Sequence, residues 1–234
     1  MFIAYSLILA ARRWHDETYR HQAVKLINDI MAKKVNNETN CLTVGNWADQ
    51  DSKYYYLLRT SDCLPKELTA FYQVTKDERW LLTRKTMLKR LRQLSNESKS
   101  GLIPDFAWVS STGVKAVKGK DVNSKYDGDY AANACRIPMN LAGVKDRDAK
   151  YISRRLLKFF SKQNTVTAGY TMAGKALNDY QSRAFSAPIF LAASDYRNQG
   201  FDSLFSSQKY VLLQKLTGIN YYDAVLVTLT ALEK

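Results

Sequence analysis

The chain has 234 residues, and 35 Lys or Arg against 22 Asp or Glu give it a net charge of +13. Its 46% apolar content, with ten Gly and four Pro, excludes a disordered, collagen-like or low-complexity protein. A chain of this length can bury a sizeable core as one domain or two. Three widely spaced cysteines (Cys41, Cys63 and Cys135) exclude a disulfide-rich scaffold, and two histidines make a His-based metal site unexpected.

The basic excess favours an anionic partner such as nucleic acid, a lipid surface or an acidic polymer, and a solvated basic surface explains it equally well. The basic side chains cluster on predicted helices, at 84–92 and 154–158. Neither cluster is interleaved with aromatic residues as in an RNA-binding sheet, and the sequence has no zinc finger or helix-turn-helix signature. We therefore expect no nucleic-acid partner.

The N-terminal segment is apolar over residues 2–11 and is followed by Arg12 and Arg13. Ten residues are too few to span a bilayer, and a signal peptide would carry its positive charges before the apolar run. We therefore predict neither a membrane span nor a signal peptide here, but a buried helix that starts at residue 1. Because no cap or turn precedes this helix, we expect a further segment upstream.

Helical periodicity dominates the rest of the chain. Apolar stripes predict helices over 16–34, 77–94, 148–162, 183–196, 204–216 and 221–233. Asp16 is the expected N-cap of the first of these. With the helix predicted at the N-terminus, we count about seven or eight helices.

Two long polar stretches, 35–62 and 98–130, separate the predicted helices and carry Trp47, Trp108 and the tyrosine run 54–56. The first stretch is expected to hold short strands or extended loops. Connections this long in a compact helical protein are often functional. The aromatic side chains either stack on the apolar faces of sugar rings or pack the loops onto the helix ends. No linker divides the chain.

Several segments, taken in order, resemble glycoside hydrolase family 8. Residues 3–14 fill every fixed position in the second half of the family signature, Ile/Met-Ala-x-Ser/Ala-apolar-apolar-x-Ala-x-x-x-Trp. Further segments resemble family motifs at 61–65, 77–80, 100–106, 133–140, 169–177, 187–188 and 221–223. The departures are Lys76 in place of a Gly and the last two positions of the 133–140 motif. The resemblance covers nearly the whole chain.

The resemblance implies an inverting, endo-acting glycosidase of β-linked polysaccharides with an (α/α)6 barrel of twelve helices and no cofactor or metal. It also implies a location outside the cell or at its surface. Residues 1–234 supply fewer than twelve helices. We therefore expect an all-α, incomplete (α/α)6 toroid with long loops and a few short strands, formed as one domain that lacks its N-terminal helices. The basic charge favours a neutral or anionic glucan over chitosan, which is a polycation.

The acidic half of the signature and the general-acid Glu of the family would lie before Met1. Three explanations stay open: a truncated sequence, a split gene whose product is completed by a second, N-terminal chain, and a degenerate remnant. In the last case the chain binds polysaccharide without cleaving it. Loss of the first helices would also leave apolar faces uncovered.

Inverting hydrolysis needs two carboxyl groups roughly 6.5–9.5 Å apart, one as acid and one as base. The family resemblance places the base at Asn133, but an amide cannot accept a proton at neutral pH. The nearest candidate bases are Asp127 and Asp129, and the alternative is that both serve a polar turn. Asn133 would then orient a water molecule or hold a sugar hydroxyl.

The expected substrate-binding residues surround this motif. Arg136 either orients a carboxylate and binds sugar hydroxyls or forms a buried salt bridge. Asp105 is either a cap or a sugar contact. Trp47, Trp108 and Tyr130 complete the predicted set.

Overall fold

The computed structural model describes residues 1–233, and helices dominate it. The nine α-helices of these residues are, in chain order, α1 (Phe2–Trp14), α2 (Glu17–Lys34), α3 (Pro65–Thr75), α4 (Arg79–Glu97), α5 (Ile137–Leu141), α6 (Arg147–Phe160), α7 (Arg183–Ser194), α8 (Asp202–Gln208) and α9 (Tyr221–Leu232). Shorter 3-10 turns cover Thr60–Asp62, Ala134–Arg136 and Lys209–Leu212.

The helices are arranged as successive antiparallel hairpins. Each odd-numbered helix packs against the even-numbered helix that follows it, from α1 with α2 to α7 with α8. The odd-numbered helices also pack in sequence, α1 on α3, α3 on α5, α5 on α7 and α7 on α9, and α4 packs on α6 in a second row. This arrangement confirms the predicted all-α, incomplete toroid of helical hairpins.

The clearest predicted helices have identifiable caps. Asp16 precedes α2 and accepts a hydrogen bond from the N–H of Thr18 at 2.7 Å. Asp146 precedes α6 and accepts from the N–H of Asp148 at 2.8 Å. A side-chain oxygen at this position satisfies an N–H that has no partner inside the helix. The helices predicted over 16–34 and 148–162 are therefore confirmed to within two residues at each end.

Three helix predictions are corrected. Helices α3 and α5 were not predicted as helices; α3 starts with Pro65 at its first position and buries Leu68 and Phe71, and α5 follows directly on the 3-10 turn Ala134–Arg136. The helix predicted over 204–216 ends at Gln208, and only a 3-10 turn continues the chain to Leu212.

Helix α1 is helical as predicted, but it is not a buried helix. Only Ala4 and Ile8 are buried in it. Several large apolar side chains on its other faces are exposed. Apolar residues occupy most positions of this segment, so its sequence does not show which face of the helix meets the core. The sequence therefore predicted more burial than the helix has.

Five short strands lie in the two long polar stretches. Strands β1 (Val35–Asn36) and β2 (Cys41–Leu42) form an antiparallel pair. Strands β3 (Leu57–Arg59), β4 (Phe106–Val109) and β5 (Val114–Ala116) form an antiparallel sheet in that order. The sheet joins the two stretches, which are far apart in sequence, on one side of the molecule.

The main hydrophobic core lies between the helices, and its largest fully buried side chains include Trp80, Tyr130, Tyr170, Phe71 and Phe160. A smaller cluster lies against the three-stranded sheet and contains Val44, Ala48, Leu57, Phe106 and Val117. All three cysteines are buried with free thiols. None of the helices within residues 1–233 has the length and apolar content needed to cross a bilayer.

Candidate active site

Asp105, directly before β4, organises the segment that carries the predicted site. Its side chain is 4% exposed. Oδ1 accepts hydrogen bonds from the N–H groups of Ala131 at 2.9 Å and Ala134 at 2.7 Å, and Oδ2 accepts from the backbone N–H of Asn133 at 3.0 Å and from its Nδ2 at 3.1 Å. Burial raises the pKa of Asp105, and these donors oppose the rise. The main-chain N–H of Asp105 also donates to the carbonyl oxygen of Asp129 at 2.8 Å. The segment 129–134 therefore wraps around one carboxylate, in the capping role predicted as one of the two alternatives for Asp105.

Asn133 is held between a carboxylate and a guanidinium. Its Nδ2 donates to Asp105, and its Oδ1 accepts from Nη2 of Arg136 at 3.0 Å. Nε of Arg136 also donates to the main-chain oxygen of Asn133 at 3.3 Å. These partners fix which end of the amide is the oxygen and which is the nitrogen.

Arg136 reaches across to the 3-10 turn before α3. Its Nη2 donates to Oγ of Ser61 at 2.7 Å, and Nδ2 of Asn140 donates to the main-chain oxygen of Ser61 at 2.8 Å. Arg136 is half-buried. Among the described residues it forms no ion pair, and its Nη1 has no acceptor. A guanidinium held at one side with free donors on the other can bind a hydroxyl or a carboxylate.

Asp127 folds the loop that precedes the site. Its side chain is 1% exposed, and its two oxygens accept hydrogen bonds from the main-chain N–H groups of residues 121–124 at 2.7–3.3 Å. The next residue is Gly128, where a Cβ would lie 2.2 Å from the main-chain oxygen of Val117. These contacts fit the predicted alternative, in which Asp127 serves a polar turn.

Asp129 has a different environment. It is half-buried, and within residues 1–233 its carboxylate accepts a hydrogen bond from the main-chain N–H of Met172 and from no other group. Burial raises the pKa of this carboxyl group. Of the two predicted bases, Asp129 alone combines partial exposure with a largely unoccupied carboxylate.

Tyr130 lies in the core. It is 0% exposed, and its ring packs against Phe160 and Phe185 with centroid distances of 5.5 and 6.1 Å. Its hydroxyl is buried and has no hydrogen-bond partner among the described residues. Burial raises the pKa of this hydroxyl well above its usual value. The structure places Tyr130 beneath the segment 131–136, away from solvent, which does not fit the predicted contact with substrate.

The predicted aromatic contacts lie near the three-stranded sheet. Trp47 is 55% exposed, and its ring packs nearly perpendicular to that of Tyr54 with a centroid distance of 5.5 Å. The indole covers Gly45, where a Cβ would lie 2.4 Å from Nε1 of Trp47. Trp108 is half-buried opposite Leu57 and packs with Tyr54 on the smaller cluster. Within residues 1–233, no hydrogen bond joins Trp47 or Trp108 to the group around Asn133.

Ser61 and Tyr222 belong to the site although the sequence did not single them out. The hydroxyl of Tyr222, on α9, donates to the carbonyl oxygen of Ala132 and lies 3.5 Å from Sγ of Cys135. Burial raises the pKa of both groups, that of Cys135 to about 12. Helix α9 is thereby fastened to the site segment. Ser61 lies in the motif at 61–65 and Tyr222 in the motif at 221–223. The family motifs therefore included both residues but indicated no role for either.

Comparison with known proteins gives one consistent family. The model for glycosyl hydrolases family 8 matches residues 1–233. A beta-glucanase of Niallia circulans is 29% identical over 207 residues, which cover 82% of this chain and 50% of that protein. An endoglucanase of Bacillus sp. (strain KSM-330) is 29% identical over 220 residues, covering 86% of this chain and 47% of that protein.

Solved structures give the same result. The apo structure of a beta-1,3-1,4-glucanase from Paenibacillus sp. X4 has a TM-score of 0.89 and 26% identity, and the match covers 99% of this chain and 64% of that one. A cold-adapted family 8 xylanase, at 19% identity and a TM-score of 0.77, shares the fold. The chain spans about half the length of the curated relatives it matches.

Proposed function

This chain belongs to glycosyl hydrolase family 8, and from that membership we propose that it takes part in the hydrolysis of O-glycosidic bonds in a β-linked glucan, with inversion and by endo-cleavage. The observation that carries the proposal is the match to the Paenibacillus glucanase, which extends over 99% of this chain. The net charge of +13 suits a neutral or anionic glucan better than chitosan. As the family resemblance implies, we place the protein outside the cell or at its surface.

We assign the general base to Asp129. A base must be able to take a proton from water, and a carboxylate whose pKa is raised by burial is a stronger base near neutral pH. Asp127 is the weaker candidate because four main-chain N–H groups already occupy its oxygens. The general acid is assigned, on the family resemblance, to a Glu outside residues 1–234.

Arg136 and Asn133 are proposed to bind the sugar at the site of cleavage. Nη1 of Arg136 is available to a sugar hydroxyl, and the Asn133 amide is held in one orientation by Asp105 and Arg136. In this role Asn133 presents polar groups and takes no proton. Trp47 and Trp108 are proposed to stack on further sugar rings along the polymer.

The test uses residues 1–234 alone and joined behind the part of the Paenibacillus glucanase that precedes the equivalent of Met1. Reducing-sugar release is measured on mixed-linkage β-glucan, carboxymethyl cellulose, xylan and chitosan. We expect the joined chain to cleave a β-glucan and Asp129→Asn to lower its rate by about 10³-fold or more, since loss of a general base costs typically 10²–10⁴-fold. Asp121→Asn, in the same loop, is the matched control. No release by the joined chain, or full activity of Asp129→Asn, contradicts the proposal.

A second candidate is a polysaccharide-binding role without cleavage. Two observations favour it: the amide at position 133, where the family resemblance implies a base, and the exposed indole of Trp47. It predicts retention of residues 1–234 on insoluble β-glucan, weakened by Trp47→Ala or Trp108→Ala, with no release of sugar by the joined chain.

A further inference from the structure

A basic cavity lies where the packed helices α4 and α6 end, away from the group around Asn133. It has a volume of about 230 Å³ and is lined by the loop after α4, the C-terminal part of α6 and the turn that follows α6. Four of its six lining residues carry a positive charge, and none carries a negative charge. The six are Lys99, Ser100, Arg155, Lys158, Phe159 and Lys162. We use the term cavity cations for the four basic residues among them.

The cavity cations differ from other basic side chains of α4 in having no acidic partner. Nη1 of Arg84 lies 3.2 Å from Oδ2 of Asp146, at the start of α6. Arg92 forms a second ion pair, with Asp148. Within residues 1–233, none of the cavity cations forms an ion pair, and the exposed Glu97 at the end of α4 is not part of the lining. Like charges that converge in this way repel one another, so a bound anion would stabilise the arrangement.

Arg155 is the fixed part of the cavity. Its Nε donates a hydrogen bond to Oγ of Ser95 at 3.1 Å, and its Nη2 donates to the main-chain oxygens of Ser95 at 3.0 Å and Ser98 at 2.8 Å. Gly101, with a φ of +82°, passes so close that a Cβ there would lie 3.0 Å from Cβ of Arg155. In the described part of the chain, Nη1 makes no hydrogen bond. The guanidinium is therefore held in place by the protein and keeps one nitrogen for a ligand.

The available donors suit a phosphate group better than a carboxylate. Arg binds a carboxylate through two parallel N–H groups. Both hydrogens of Nη2 and that of Nε are already used by Ser95 and Ser98, so Arg155 has no such pair left. Lysine binds phosphate as a separate point charge, and three lysines line the cavity. Separate donors fit a group whose several oxygens point in different directions.

We propose that this cavity is a binding site for a phosphate group, either free or carried as a substituent on a polysaccharide. Lys99, Lys158 and Lys162 would surround the phosphate oxygens, and Nη1 of Arg155 would donate to one of them. The polysaccharide source rests on the proposed function, whereas the phosphate chemistry does not. The site gives a role to the basic cluster at 154–158, which the glycosidase activity does not use.

The test is calorimetric titration of purified residues 1–234 with three probes at constant ionic strength. The probes are inorganic phosphate, a phosphorylated β-glucan and the same β-glucan without phosphate. The cavity variant combines Lys158→Gln with Lys162→Gln. The matched control combines Lys85→Gln with Lys89→Gln, because these lysines are also exposed, lie on α4 outside the lining and remove the same charge. Lys99→Gln tests the cavity from the loop after α4, and circular dichroism checks that each variant is folded.

We expect one phosphate group to bind per chain. The cavity variant should weaken this binding at least about tenfold, because two charge-assisted contacts are lost, and Lys99→Gln should weaken it in the same direction. The control variant should change the dissociation constant less than about twofold, because its charges are distant and screened. Acetate should not displace the phosphate.

Equal weakening by the cavity and control variants overturns the proposal, because it attributes the binding to net charge alone. Failure of both phosphate probes to bind also overturns it, and equal displacement by acetate overturns the preference for phosphate. Binding of inorganic phosphate that the cavity variant weakens supports a free phosphate as the ligand. If only the phosphorylated β-glucan shows this dependence, the ligand is a phosphate substituent. Absence of reducing-sugar release by the joined chain counts against the proposed function and leaves the phosphate site intact.

Discussion

At the scale of single residues, the amide of Asn133 lies between a negatively charged and a positively charged side chain. Its Nδ2 faces Oδ2 of Asp105 at 3.1 Å, and its Oδ1 faces Nη2 of Arg136 at 3.0 Å. An aspartate at this position would place one of its oxygens against the Asp105 carboxylate. The amide is therefore the side chain that bridges this anion and this cation without repulsion.

The first prediction concerns Asn133→Asp. We expect this variant to lower the free energy of unfolding at pH 7 by about 1–3 kcal/mol. Oδ2 of Asp105 would lose the hydrogen bond from Nδ2 of Asn133 and would face a second negative charge instead. The loss should shrink as the pH falls, beginning above the ordinary Asp pKa of about 3.9, because burial raises the pKa of Asp105 and a second carboxyl group beside it raises it further. Urea denaturation between pH 3 and pH 8 measures it.

Asn133→Ala is the control for this measurement, since it removes the same hydrogen bonds without adding a charge. Its loss of stability should vary much less with pH than that of Asn133→Asp. Identical pH profiles for the two variants would show that Asp105 and residue 133 are not electrostatically coupled.

The second prediction concerns Asp129. Because burial raises its pKa in the folded state, the folded protein binds this proton more tightly than the unfolded chain does. The contribution of Asp129 to stability is therefore lost as the pH rises from the unfolded pKa of about 3.9 through the folded value. Asp129→Asn should remove that loss and leave the free energy of unfolding at pH 7 equal or higher, while lowering the rate of cleavage by the joined chain about 10³-fold. A marked fall in stability at pH 7 would instead assign Asp129 a structural role.

At the scale of elements, the start of α6 combines a cap with an ion pair. Asp146 accepts the N–H of Asp148 and also lies 3.2 Å from Nη1 of Arg84 on α4. It thereby connects two helices that pack against each other. Asp16 caps α2 in the same way but is exposed and has no ion pair among the described residues.

The third prediction compares these two caps. Asp146→Ala should cost about 1–3 kcal/mol, the loss of a cap plus that of a half-buried ion pair, and Asp16→Ala about 1 kcal/mol or less. The free energy of unfolding in urea checks the order. Equal losses would mean that the contact of Asp146 with Arg84 adds nothing to stability.

The accuracy of the sequence-based prediction also depends on the element. Helices α2 and α6 were predicted well because each has a long apolar stripe and an Asp cap. Helix α3 was missed because its segment was interpreted as a family motif, and α8 was extended too far because Leu212, Leu213 and Leu216 continue the apolar pattern beyond the helix. The strands of two to four residues are too short for periodicity, and β3 exists only through its pairing with β4, which lies almost fifty residues further along the chain.

The candidate site could be predicted only in part. Motif positions indicated Asp105, Asn133 and Arg136, and the structure brings these three together. The sequence could not indicate which polar side chains accept hydrogen bonds from main-chain N–H groups. That property separates Asp127 from Asp129, and it is set by the path of residues 121–131 in space.

At the scale of the whole molecule, the excess of positive charge is the dominant property. The net charge of +13 is carried mainly by side chains at the surface. Such a field attracts anionic polymers over a distance that salt reduces, from about 10 Å at 0.1 M to about 3 Å at 1 M.

The fourth prediction follows from this field. The retention of residues 1–234 on carboxymethyl glucan should fall about tenfold or more between 50 mM and 500 mM NaCl, while retention on an uncharged β-glucan should change little. Affinity electrophoresis in gels containing each polymer measures both. Chitosan is the control and should show no retention at low salt.

The three buried thiols give the molecule local reporters of its own opening. Cys41 lies in β2, Cys63 follows the 3-10 turn that holds Ser61, and Cys135 lies beside Asn133. A disulfide reagent reacts with an exposed thiolate, so each cysteine remains unlabelled until the region around it opens. The rate at which Cys135 is labelled would therefore measure how often the site segment unfolds by itself. The rate at which Cys41 is labelled would measure how often the β1–β2 pair opens.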